Sequence, residues 1–126
     1  SNFLRGDGTW AVPTVGSFTP AFTSSATGFT LSSVTTLAHG LASIPPLVRV
    51  VLRCTTAESG YSIGDEIDAV GTVSETNASG HGAFFAVDAT NITVMIGASF
   101  PILNKSTAAN AATTAANWAI VARAWI

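Results

Sequence analysis

Apolar and polar side chains alternate along this chain in short runs, separated by Gly, Thr and Ser, the pattern of many short strands. The clearest run is Leu47 to Cys54. It sets Val48, Val50, Leu52 and Cys54 on one face and Arg49, Val51 and Arg53 on the other. A period of two predicts a strand with one buried face and one face at least partly solvated. Pro45-Pro46 just before it disfavours a helix and imposes an extended backbone. Asn91 to Gly97 alternates in the same way, with Ile92, Val94 and Ile96 inward. Ala83 to Val87 reads as a third strand, ending at the turn Asp88-Ala89-Thr90-Asn91, and Ser33 to Ala38 as a fourth. Gly16 to Phe22 and Gly28 to Leu31 read as weaker, shorter strands around a Thr/Ser turn.

The C-terminal region tests propensity against periodicity. Ala108 to Ala116 is rich in alanine, the best helix former. Yet Thr107, Asn110, Thr113, Thr114 and Asn117 leave no strong apolar stripe at helical spacing. The closing residues alternate instead, with Trp118, Ile120, Ala122 and Ala124 on one face and Val121, Arg123 and Trp125 on the other. The pattern predicts a loop over Ala108 to Ala116 and a closing strand over Asn117 to Trp125. The fold class expected is all-β, a two-sheet antiparallel β-sandwich of jelly-roll-like kind. Residues 1–14, with two glycines, a proline and no alternation, read as a leader into one domain spanning 15–126.

Composition narrows the function classes. The 126 residues suit one domain with one core. Only 10% are charged, against about 25% in an ordinary soluble domain. A surface so poor in charge suits chains that pack against copies of themselves, and the apolar strand face around Val51 is expected to be exposed and to favour association. The net charge of −2 and the scattered Arg5, Arg49, Arg53, Lys105 and Arg123 argue against nucleic acid, which needs clustered basic residues. No apolar run approaches the ~20 residues of a spanning helix, and the start carries no signal-peptide pattern. One cysteine, Cys54, allows neither an intrachain disulfide nor a thiolate metal cage, which suits folding in a reducing cytoplasm.

Candidate chemistry is sparse. His39, in Ala38-His39-Gly40-Leu41, reads as a turn histidine satisfied by backbone, and His81, in Ser79-Gly80-His81-Gly82, as an exposed residue in a flexible turn. No GxSxG elbow accompanies them, and no enzyme activity is expected. Asp65, Glu66 and Asp68 cluster after Gly60-Tyr61-Ser62-Ile63-Gly64, but the spacing is not that of an EF-hand. A structured loop anchored by Ile63 and Ile67 is expected there, with no metal and no cofactor. Asn77-Ala78-Ser79, Asn91-Ile92-Thr93 and Asn104-Lys105-Ser106 have the form of glycan acceptors, which a Ser/Thr-rich chain produces by chance.

Phe3-Leu4-Arg5-Gly6-Asp7-Gly8-Thr9-Trp10 resembles the FLRGDGTW segment that recurs in tail-fibre proteins of tailed bacteriophages, shortly before a C-terminal tip domain. His39-Gly40-Leu41, Pro45-Pro46-Leu47-Val48-Arg49-Val50, Thr56-Ala57-Glu58 and Gly60-Tyr61-Ser62-Ile63-Gly64-Asp65-Glu66 resemble the HGL…P-x-LV-x-V…TAE-x-GY-x-x-GDE pattern of the tip domains, and Ala116-Asn117-Trp118 fits the same pattern. The resemblance touches both ends and the middle of the chain and leaves the loops unmatched. It implies a homotrimeric fibre tip on the virion, assembled in the host cytoplasm with other tail-fibre or virion proteins. Such a tip recognises a bacterial surface glycan or protein by avidity. Phe3, Leu4 and Trp10 would pack near the trimer axis. Arg5-Gly6-Asp7 then reads as a turn at the shaft-to-tip junction, not as an integrin ligand. Tyr61, Asp65, Glu66, Asn77 and His81 are the candidate receptor-binding residues, chosen by loop position. The alternative is a capsid decoration or baseplate domain with no receptor role.

Overall fold

Two long strands, each apolar on the face the alternation predicts, build the centre of the molecule. A computed structural model of the chain describes residues 3–4, 6–11, 18–69 and 80–126. Its strands are β1 (Phe3–Leu4), β2 (Trp10–Ala11), β3 (Phe22–Thr23), β4 (Thr27–Gly28), β5 (Ser33–Ala38), β6 (Leu47–Cys54), β7 (Glu66–Asp68), β8 (Ala83–Val87), β9 (Asn91–Ile96), β10 (Pro101–Leu103), β11 (Asn110–Ala112) and β12 (Trp118–Trp125). A 3-10 turn, Ala115–Asn117, precedes β12. The fold is all-β, and its sheets are antiparallel.

β12 pairs with β6 along its whole length, from Trp118 opposite Cys54 to Trp125 opposite Leu47. β3 and β4 line its other edge in turn, and β7 adds to the free edge of β6, giving a five-stranded sheet. The second sheet is three-stranded in the order β5-β9-β8. The two sheets face each other across one core. Val50, Leu52 and Cys54 from β6, with Trp118, Ile120, Ala122 and Ala124 from β12, meet Ile92, Val94 and Ile96 from β9, with Ala83 and Phe100. For β9 these are the residues the alternation placed inward, and for β6 and β12 each set is one of the two faces the alternation separated.

His39 fastens the corner after β5. The Leu41 N–H donates to Nδ1 at 3.1 Å, so Nε2 carries the ring proton and donates to the Asp88 carbonyl at 2.9 Å. The ring is 4% exposed and binds the His39-Gly40-Leu41 corner to the β8–β9 turn. In that turn the Asp88 carboxylate accepts from Thr90 N–H, Thr90 Oγ1 and Asn91 N–H. The Thr90 N–H first, then that of Asn91, hold Asp88 below the ordinary carboxylate range.

Several expectations are corrected. Val51 is not exposed: it is 0% accessible, as is Val121 beside it. The register explains this. Arg123 lies one row beyond Val51 on β12, and Glu66 one row before it on β7, so their ion pair at 2.7 Å crosses β6 over Val51. The alanine-rich loop is not wholly irregular: Asn110–Ala112 pairs with Pro101–Leu103 as a hairpin, and its end turns into the 3-10 segment. The strand expected over Gly28 to Leu31 is instead Thr27–Gly28, drawn back to where β12 offers partners. Of Gly16 to Phe22, only Phe22 is in a strand among the described residues. Glu66–Asp68 is strand, not loop. The start of the leader is a two-stranded ribbon, Phe3 opposite Ala11 and Leu4 opposite Trp10. At its turn the Asp7 carboxylate accepts from Thr9 N–H at 3.0 Å and from Thr9 Oγ1 at 2.6 Å.

Candidate functional site

The segment between β6 and β7 is tied down residue by residue. Glu58 accepts from the Thr114 N–H at 2.8 Å, the Asn117 amide at 2.7 Å and the Trp118 indole N–H at 2.9 Å. Partial burial acts to raise its pKa, but these hydrogen bonds together outweigh it and hold the carboxyl below its ordinary value. Tyr61 stands edge-on to Trp118, ring centroids 5.3 Å apart, and its hydroxyl donates to the Leu103 carbonyl at 2.8 Å. Gly60 has φ +81°, and a Cβ there would meet Ser106 Oγ at 2.7 Å, so glycine is required.

Tyr61 and Asp65 share a patch with Lys105. The Lys105 ammonium lies 5.9 Å from the Tyr61 ring centroid and pairs with the Asp65 carboxylate. That pairing first, then the Ser62 N–H, hold Asp65 below the usual carboxylate range. Glu66, next in sequence, points to the opposite face of its sheet, where it accepts from Arg123 and Arg53. Asp65 lies just before β7 and turns to Lys105, whereas Glu66 opens the strand and faces the arginines. His81 stands elsewhere, at the end of the three-stranded sheet, with Nδ1 at 2.6 Å from Ser99 Oγ. It is half-buried rather than exposed. Asn77 and the side chains of Phe3 and Leu4 lie outside the described residues, and Trp10 is 67% exposed. Of the four described candidates, Tyr61 and Asp65 share one patch, while Glu66 and His81 stand apart from it.

Sequence reasoning missed one concavity. It is a cleft of about 230 Å³ lined by Leu31, Ser99, Phe100, Pro101, Asn110, Ala111, Ala112 and Thr113. One wall is the β10–β11 hairpin. Tyr61 holds this hairpin through Leu103, Ser59 through the Lys105 N–H, and Glu58 through Thr114. Inside it, Thr113 Oγ1 donates to the Phe100 carbonyl. The floor is Phe100, anchored in the core. Ser99 is set by a tight backbone crossing: Gly82 N–H donates to the Ser99 carbonyl at 2.7 Å, and Ala98 N–H to that of Gly80 at 2.8 Å. A Cβ on Gly97 would lie on the Gly80 carbonyl, so this crossing also needs glycine. No motif joins positions 31, 99–101 and 110–113: the hairpin brings 101 to 110–112, and the Ser32 N–H bond to the Gly97 carbonyl at 2.9 Å brings 31 beside 99.

The charged groups of the Tyr61 patch are paired, and the cleft is lined by uncharged residues. Among the described residues no group of three or more His, Cys, Asp or Glu is placed to hold a metal ion. Among the described residues, the cleft carries one hydroxyl–imidazole pair, Ser99 Oγ 2.6 Å from His81 Nδ1. Both surfaces can bind by hydrogen bonds and apolar contact. No protein-family model matches the chain, and no curated protein matches it in sequence.

Proposed function

We propose that the chain is the tip domain of a bacteriophage tail fibre, a jelly-roll-like sandwich that works as a homotrimer on the virion and adheres to the bacterial surface. The observation that carries this reading is the outer face of the three-stranded sheet. Val34, Met95 and Phe84 stand side by side there in one register row, all exposed. No residue of β5, β8 or β9 is charged. Soluble monomers rarely leave contiguous apolar surface uncovered, so this face suits packing between copies. The resemblance to fibre tips adds the number three and the target, a surface glycan or protein. The tied-down loop and the cleft beside it supply a rigid surface for recognition, and repetition over three copies raises avidity.

Light scattering coupled to size exclusion tests the assembly. A mass near three times 12.8 kDa is expected, and a monomer at all concentrations overturns self-assembly of this domain. Adsorption of the purified chain to bacterial cells tests recognition. The same uncharged face also fits a capsid or baseplate component, and trimers that bind no cells of a broad bacterial panel would favour that second reading.

A further inference from the structure

We infer that the cleft between Leu31 and the β10–β11 hairpin is a binding site for a neutral pyranose ring. This deepens the fibre-tip reading and rests on it for the biological source of the sugar. The chemistry of the lining selects the class. All eight lining residues are uncharged, so nothing there compensates a phosphate, sulfate, carboxylate or ammonium, whose desolvation would oppose binding. Leu31, Phe100, Pro101, Ala111 and Ala112 present apolar surface, which suits the C–H face of a sugar. Polar groups stand along the same lining. The Asn110 amide forms no hydrogen bond among the described residues, so it offers donors and an acceptor together. Thr113 Oγ1 spends its proton on the Phe100 carbonyl and keeps its lone pairs as acceptors. Ser99 Oγ is fixed in place by His81. Mixed donor and acceptor groups above an apolar floor match adjacent hydroxyls on a ring. The volume, about 230 Å³, is below the ~300–1,000 Å³ of pockets that enclose drug-sized ligands, so one ring is accommodated rather than a chain of them. The site is also pre-formed, because the loop from Glu58 to Asp65 already clamps the hairpin, and little ordering cost falls on binding.

The test is a titration of the full chain, ¹⁵N-labelled, with methyl glycosides of glucose, galactose, mannose and N-acetylglucosamine, followed by amide shifts. Glucuronic acid and N-acetylneuraminic acid serve as charged comparators. Shifts concentrated at Leu31, Ser99, Phe100 and residues 110–113 for at least one neutral glycoside are the expected result. Asn110→Ala, at an exposed hairpin position, should weaken that binding roughly 3- to 10-fold while leaving the rest of the spectrum in place. Three results overturn the inference: no cleft shifts with any neutral glycoside at millimolar concentration, shifts confined to another surface, or tighter cleft binding of the charged sugars. Adsorption to cells, measured separately, distinguishes the two readings. Adsorption without cleft shifts overturns the cleft and leaves the fibre tip, whereas cleft shifts without adsorption leave the cleft and overturn the fibre tip.

Discussion

The outer faces of the two sheets solve the same problem differently. On the five-stranded sheet, Val51 and Val121 are apolar and face outward, but Arg123 reaches across to Glu66, which also holds Arg53, while Arg49 pairs with Asp68. Phe18 stacks on Trp125 with centroids 5.0 Å apart, extending the cover. This face is closed by its own long side chains, whose stems shield apolar surface while their heads pair in water. On the three-stranded sheet, Val34, Met95 and Phe84 have only Thr36, Thr93 and Ala86 in the next row, residues too short to reach over them. Outward apolar residues therefore do not by themselves mark an interface. What decides is whether a neighbour long enough to cover them stands in the adjacent row.

The sharpest way to break this contrast is to place one carboxylate on each face. Val121→Asp buries a charge under an existing network and should cost about 3 kcal/mol or more in denaturant unfolding. Val34→Asp, at a position 66% exposed, should change the stability of the dilute chain by no more than about 0.5 kcal/mol. It should instead reduce the mass seen by light scattering. Equal destabilisation by both would end the distinction. Glu66→Ala comes next. It strips Arg123 and Arg53 of their partner and uncovers Val51, and we expect about 1–2 kcal/mol after discounting for solvent screening. Met95→Ala, its counterpart on the other face, should leave monomer unfolding nearly unchanged.

Acid gives a graded version of the same test. Glu66 is held below its ordinary value, 4.5, first by its hydrogen bond from Arg123, against the opposing effect of burial. A carboxyl with a depressed folded pKa contributes stability that is fully present above its unfolded pKa and is lost as pH falls through the folded one. Melting temperature should therefore hold from neutrality down to about pH 5 and fall below it. Part of that fall should be absent in Glu66→Gln, because the variant has no carboxyl to protonate. Among the ion pairs of the five-stranded sheet, the smallest effect belongs to Asp68→Asn. Its pair with Arg49 is 61% and 50% exposed, so a loss below about 0.5 kcal/mol is expected, shrinking further in high salt.

The alternation of Leu47 to Cys54, Ser33 to Ala38, Ala83 to Val87 and Asn91 to Ile96 made four strands legible from residue order alone, and in the first and last of them the two faces as well. The closing strand was legible for the same reason, once periodicity was set above alanine's helix propensity. The cover over Val51 was not. It depends on the register of β7 and β12 against β6, and no single strand carries that information. The β10–β11 hairpin was hidden by Pro101 and by a run of alanines with no facing pattern, and the cleft vanished with it. Tyr61 and Asp65 were recognisable as one loop, but the turn of Glu66 to the opposite sheet face needed the strand that begins there.

β12 lies between β6 on one side and β3 and β4 on the other, so Thr23 waits for Arg123 and Thr27 for Ile120. The five-stranded sheet cannot close until residues near 125 have cleared the ribosome. Until then β6 has only β7 beside it, with its longer free edge open to other chains. Such long-range pairing makes folding slow. The moment at which this sheet is finished is therefore set by translation itself.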